Sequence, residues 1–179
     1  MRKSRWMLTI GSVLACAPAM TGPNTSVFTE LSARQCVAVP ASAGSGDAGA
    51  LRCKGPAGFS LEIYADDDRA SATVLTPDGR RHDLEYWHVV TGHFSVLGPR
   101  AEWRLRSHGG RRQPISVIVR IVANENPERP AQTTSYLAVA RITASGACVT
   151  DRIGPGKAQN AAARIAADRS AKTPCRTAY

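Results

Sequence analysis

Aromatic side chains are few in this chain: three Phe, four Tyr and three Trp make up 6% of 179 residues. Single-stranded nucleic acid is held by basic grooves lined with aromatic stacking platforms. A chain this poor in rings, with no recognised nucleic-acid motif, is not read as a nucleic-acid binder. Acidic residues are also outnumbered, 14 Asp and Glu against 23 Lys and Arg, for a formal net charge of +9. That excess bears on solubility and on attraction to anions rather than on fold. Long apolar runs are missing too. The run Trp6–Ala15 has ten residues, half of the ~20 that a membrane-spanning helix needs. No CxxC or HxxxH spacing occurs, so nothing local announces a metal site. Neither G-x-S-x-G nor S-x-x-K occurs, so no motif announces a nucleophile.

What is present begins at the N-terminus. Arg2, Lys3 and Arg5 precede Trp6–Ala15, and small residues and Cys16 follow. A basic head, a short apolar stretch and a small-residue exit are the layout of an export signal, read here as residues 1–19. Its removal takes away three basic and no acidic side chains, leaving 20 against 14 and a net charge of +6. The expected location is the periplasm, or the envelope by way of an anchor. Two fates stay open for Cys16. Ser12-Val13-Leu14-Ala15-Cys16 resembles the lipobox of bacterial lipoproteins, in which the cysteine carries the lipid. Alternatively, Ala17-Pro18-Ala19 is an A-x-A cleavage site and Cys16 leaves with the signal.

Either way four cysteines remain, Cys36, Cys53, Cys148 and Cys175. In an oxidising compartment they read as two disulfides with three possible connectivities. Sequence order favours Cys36–Cys53, closing the Gly/Ala/Ser loop Ala41–Ala50, and Cys148–Cys175, fastening a C-terminal helix to the strand before it.

Residues 20–33 read as a flexible lead-in, and 34–179 as a single β-rich domain. Phe59, Leu61 and Ile63 alternate with polar neighbours, the period of a half-buried strand. Asp66-Asp67-Asp68 forms a solvated hairpin tip, since it lacks the alternate-position spacing of a calcium loop. His82–Val90 reads as a strand, and Phe94 to Leu105 as two short strands around Gly98-Pro99. Ile115–Val122 is almost continuously β-branched and predicts a central strand buried on both faces, paired with Tyr136–Ile142. Ala158–Ala171 is the one clear helix, carried by alanine. The fold class is therefore α+β: a mainly antiparallel sheet of six to eight strands with one C-terminal helix and two disulfides.

Arginine carries the most pointed hint of a site. Arg104 and Arg106 share a strand face by the period of two. With Arg111 and Arg112 on the following loop they compose an anion-binding patch, with Trp103 beside it as a stacking surface. The matching partner is an anionic envelope component, a lipid head group or a polysaccharide. No cofactor and no metal is called for, because His88 and His93 alone lack a third ligand.

Cys53-Lys54-Gly55-Pro56-Ala57-Gly58-Phe59-Ser60-Leu61 looks like a C-x-G-P-x-G-(aromatic)-x-L motif. With Ala101-Glu102-Trp103-Arg104 and the late Cys148 and Cys175, it resembles a family of small exported proteins of alphaproteobacterial type. That resemblance implies the compartment and no activity. Periplasmic lysozyme inhibitors share the size and the class, but a basic chain is repelled by a basic lysozyme. The expected function is a non-catalytic envelope protein that binds through an Arg-rich face. The alternatives are a periplasmic hydrolase centred on a histidine among His82, His88 and His93, or an inhibitor of an envelope-targeting enzyme.

Overall fold

Alternating apolar residues build strands through most of the chain, and nearly all of these strands pair antiparallel. A computed structural model describes residues 23–40, 49–129 and 131–178. The expected signal at 1–19, Cys16 and most of the 41–50 loop lie outside the described residues. In chain order the strands are β1 (Thr25–Glu30), β2 (Val37–Val39), β3 (Ala50–Lys54), β4 (Ser60–Asp66), β5 (Arg69–Leu75), β6 (Arg81–Asp83), β7 (Ser95–His108), β8 (Arg111–Ala123), β9 (Thr134–Thr143) and β10 (Gly146–Ile153). A four-residue helix α1 (Tyr86–Val89) follows β6, and α2 (Gln159–Arg169) follows β10.

The hydrogen-bonded order is β10-β9-β8-β7-β5-β4-β3-β2, with β1 on β7 and β6 on β5. β7 divides this sheet into two limbs. One of its edges pairs along its length with β8. The other edge takes β1 over Arg100–Leu105 and meets β5 only where Ser95 faces Arg69. That last link is parallel, so the sheet is mixed rather than wholly antiparallel. The limbs close on each other around one apolar cluster. Leu61 and Val74 come from the β3–β6 side, and Trp103, Val117, Val119 and Ile121 from the β7–β10 side. β8 is buried on both faces, as its composition predicts. Its other side gives Ile118 to a second cluster with Leu137, Val139 and three alanines of α2. Cys36–Cys53 and Cys148–Cys175 are both bonded.

Several elements differ from the sequence expectation. The described residues form ten strands, where about six to eight were expected. The expected lead-in contains β1, whose Val27 and Thr29 turn inward. The Thr29 hydroxyl accepts a 2.9 Å hydrogen bond from the Trp103 indole and donates at 3.0 Å to the Lys54 carbonyl. Small hydroxyl residues had the composition of a linker, but one of them satisfies a buried indole that otherwise has no partner. The expected strand at His82–Val90 is β6 followed by α1, because Leu84, Tyr86, Val89 and Val90 all bury toward the core at a spacing closer to a helical turn than to a period of two. The two strands around Gly98-Pro99 are one, β7, with a bulge between Leu97 and Ala101. Pro99 has no N–H for a ladder and sits where pairing is interrupted. Its carbonyl still accepts from Leu31 N at 2.7 Å. A Cβ on Gly98 would stand 2.8 Å from Arg120 Cβ, so the strands approach there only with glycine.

The C-x-G-P-x-G segment has a structural purpose as well. It folds over Trp103, which is fully buried, and a Cβ on Gly55 would lie 2.6 Å from the indole. Asp67 and Asp68 adopt successive left-handed conformations, φ 48° and 56°, which makes the β4–β5 tip the tight two-residue turn that suits sheet twist.

Tyr86 supplies a stability prediction. Its side chain is buried, and its hydroxyl has no hydrogen-bond partner among the described residues. Burial, with a smaller contribution from Tyr64, pushes the phenol far above its ordinary value, so it stays protonated. A buried donor without an acceptor is destabilising. Tyr86→Phe should therefore leave stability unchanged or raise it by up to about 1 kcal/mol, as read by urea unfolding. A loss beyond that amount would show that the hydroxyl has a partner in solution.

Candidate ligand groove

The arginines expected to share a patch are placed apart. Arg104 is buried, 8% exposed, under α2. Its Nε and one terminal nitrogen donate to the two carboxylate oxygens of Asp168, both at 2.8 Å, and the other terminal nitrogen donates to Ser26 Oγ at 2.6 Å. Arg106 does share that face, but it leans on Asn24 Oδ1 and the Asp168 carbonyl, each at 3.4 Å. Arg111 and Arg112 are exposed near the β7–β8 tip. As successive strand residues they point to opposite faces. Trp103 offers no surface to any ligand, being at 0% exposure. The expected Arg–Trp patch is corrected accordingly: α2 covers the face that Arg104 and Arg106 share, and the core takes the ring.

The histidines do not form a centre either. His82 turns inward on β6, its ring 3.0 Å from where a Cβ on Gly146 would sit. His88 stands beside Glu85 at 3.7 Å on α1, and His93 is exposed. Among the described residues no group of three or more His, Cys, Asp or Glu side chains is arranged to hold a metal ion.

What the fold does open is a groove. Because β5 and β7 meet at only one residue pair, the limbs diverge on either side of Ser95. The space between β2, β3 and β4 on one wall and the start of β7 and end of β8 on the other is about 1150 Å³. That lies slightly above the ~300–1,000 Å³ of small-molecule sites. Leu31, Val39, Leu51, Ile63, Leu97 and Val122 line it. Phe94 and Val96 are also part of its wall and remain 54% and 64% exposed. Contiguous apolar side chains left this open are a common feature of binding surfaces.

Asp68, Ser95, Asn124, Thr133 and Tyr64 are the polar residues among its described lining; Ser95 faces Ala123, so the Ser95 and Asn124 side chains lie on opposite faces. Ser95 N donates to the Asp68 carbonyl at 2.8 Å, and Asn124 N to the Phe94 carbonyl at 2.8 Å. Ala123 faces Thr134, which brings Asn124 opposite Thr133. Ser95 Oγ accepts from Ala70 N at 3.3 Å. Asn124 Oδ1 is shielded from solvent and has no hydrogen-bond partner among the described residues.

No family model, no curated protein and no solved structure matches this chain. The groove is therefore read from its own chemistry. Among the described residues no histidine and no cysteine lines it. Its lining is mostly apolar, with a few polar residues among it. Sequence reasoning missed it because its walls come from at least seven separate segments. Asn124 in particular sits in a Pro- and Asn-containing stretch that reads as ordinary loop.

Proposed function

We propose that this protein is an exported, non-catalytic component of the bacterial cell envelope that binds an apolar ligand in the groove between its limbs. The observation that carries the reading is the apolar lining of a cleft of about 1150 Å³ with Phe94 and Val96 open at its wall. Export is supported by the N-terminal layout and by two disulfides, which persist in oxidising compartments. The resemblance to small exported proteins of alphaproteobacterial type fits the same address. The net charge of +6 left after the signal, with Arg111 and Arg112 exposed at the hairpin, favours a position near anionic lipid or polysaccharide, where apolar ligands reside.

Diphenylhexatriene, a hydrocarbon fluorophore without polar atoms, tests the groove. The folded protein should enhance its emission saturably, with one site per chain. Val96→Asp places a charge on the groove wall at a position that is already 64% exposed, so folding survives. Affinity should drop about ten-fold or more, since a carboxylate beside a bound hydrocarbon must lose water without gaining a partner. An absent enhancement, or equal affinity in the variant, would refute the groove.

A further inference from the structure

A second, smaller cavity of about 220 Å³ lies between the first half of α2 and the sheet. Strand pairing fixes which side chains reach it. Phe28 faces Glu102, Glu102 faces Ile118, and Arg120 faces Leu137. Arg100 is two residues from Glu102, and Arg120 two from Ile118, so all six share one face of the sheet. Asn160 and Arg164, four residues apart on α2, meet that face from the other side.

Three of these side chains are guanidinium groups, and they are unequally matched. Arg164 is committed to Glu102, with Nε and a terminal nitrogen donating to its two oxygens at 2.7 and 3.1 Å. Arg100 Nε stands 3.8 Å from Glu30 Oε1, too far for a hydrogen bond, and its guanidinium lies 5.2 Å from the centroid of the Phe28 ring. Arg120 is half-buried and forms no ion pair among the described residues. Its terminal nitrogens donate to Ser135 Oγ at 2.5 Å, Gln159 Oε1 at 2.8 Å and Asn160 Oδ1 at 3.0 Å. Those neutral oxygens hold the fork in place without cancelling its charge. Gly98 admits the pose, since a Cβ there would meet Cβ, Cγ and Cδ of Arg120 within 3.4 Å. A half-buried cation held this way lacks the counter-charge that such groups ordinarily have.

We propose that this cavity binds an organic phosphate, with the phosphate on Arg120 and Arg100 and an apolar substituent against Phe28, Ile118 and Leu137. Two guanidinium groups from different strands match a head group of three oxygens and up to two charges better than a carboxylate. The described lining shares no residue with that of the groove, so each site stands or fails without the other.

Calorimetric titration with phenyl phosphate at pH 7.5 tests the proposal. One site per chain is expected, with affinity that falls as salt is raised. Inorganic phosphate lacks the apolar part and benzoate lacks the third oxygen, so each should bind at least about five-fold more weakly. Arg100→Gln changes a side chain that is 58% exposed, so folding survives. It should weaken phenyl phosphate about five-fold, and Arg120→Gln about ten-fold or more. The exposed pair Arg111→Gln with Arg112→Gln removes more charge and should leave the affinity unchanged. Amide chemical shifts should move most at Phe28, Arg100, Arg120 and Asn160. Monomeric dihexanoyl phosphatidic acid separates the sources: competition with phenyl phosphate assigns a lipid head group, and its absence a soluble ester. Unsaturable binding, benzoate binding as tightly, an equal loss in the Arg111 and Arg112 variant, or shifts centred elsewhere would overturn the proposal. Should Arg120→Gln not fold, Arg100→Gln and the shift map decide.

Discussion

Mild reduction of the folded protein should open Cys148–Cys175 well before Cys36–Cys53, and opening both should remove most of the stability. Thiol exchange needs an attacking thiolate to reach the sulfur. Cys53 is at 0% exposure and Cys36 at 9%, whereas Cys175 is exposed. The bridges span 17 and 27 residues. Chain-entropy arguments give them about 3 and 3.5 kcal/mol respectively. Together that rivals the 5–15 kcal/mol by which typical domains are stable at all. Opening the second bridge also frees the chain beyond α2. There Arg176 N donates to the Val149 carbonyl at 2.8 Å, Arg176 Nε to the Val89 carbonyl at 2.9 Å, and Arg141 to the Thr173 carbonyl at 2.9 Å. Those bonds hold the tail only while the tail is near. Timed reduction, alkylation and peptide mass mapping should show label on Cys148 and Cys175 first. Urea unfolding of that half-reduced form should show a loss of about 3.5 kcal/mol. Labelling of all four cysteines at one rate would mean that burial does not protect the inner bridge. Disulfides such as these two persist in oxidising environments.

How much of this was readable in advance depended on whether a residue's partners were near in sequence. β8 declares itself, because eight nearly unbroken β-branched positions have no other home than the middle of a sheet. The disulfide order follows from sequence neighbours, and the β4–β5 tip from three aspartates in a row. The helix is legible as a helix but not in its effect. Alanine content predicts α2, whose only large apolar residue is Ile165. In the structure Ile165 is 65% exposed while Ala163, Ala166 and Ala167 are buried against the sheet. Small side chains let the helix axis approach closely, and that approach brings Asp168 within reach of Arg104. The period of two correctly puts Arg104 and Arg106 on one face. It cannot say that a segment 64 residues away covers that face. The groove was equally hidden, since its walls come from two limbs of one sheet that are joined through a single β5–β7 residue pair.

The same covering gives Asp168→Ala a large expected effect. Arg104 is a buried cation whose fork is met by both oxygens of one carboxylate. Removing that carboxylate leaves the charge stranded, and breaking fully buried pairs in this way costs about 3–5 kcal/mol. The Asp168 side chain is 36% exposed, so water partly replaces it and about 2–3 kcal/mol is the better expectation. Burial by itself would raise the Asp168 pKa. Hydrogen bonds from Arg104 and Asn24, with the charges of Arg104 and Arg106, overcome that and hold it below the usual carboxylate range. A depressed carboxylate contributes stability that is complete above its unfolded value and disappears as pH falls through the folded one. Wild-type stability should thus decline from about pH 4 downward, and the decline should be shallower in Asp168→Ala. The double variant Arg104→Met with Asp168→Leu removes both charges and should recover part of the loss, because apolar packing replaces an ion pair at little cost. Equilibrium urea unfolding at pH 7 and pH 3 measures all four quantities. An Asp168→Ala protein within 0.5 kcal/mol of wild type would mean the pair is solvated and α2 is held by its alanines alone. The pairing also decides how surface charge is to be probed. Reversing Arg104 and Arg106 to Glu sets two acids against Asp168 and detaches the helix, so lost adhesion to anionic vesicles would report unfolding. Reversal at the exposed Arg111 and Arg112 leaves the packing in place, and only there does a change in salt-sensitive association report the surface itself.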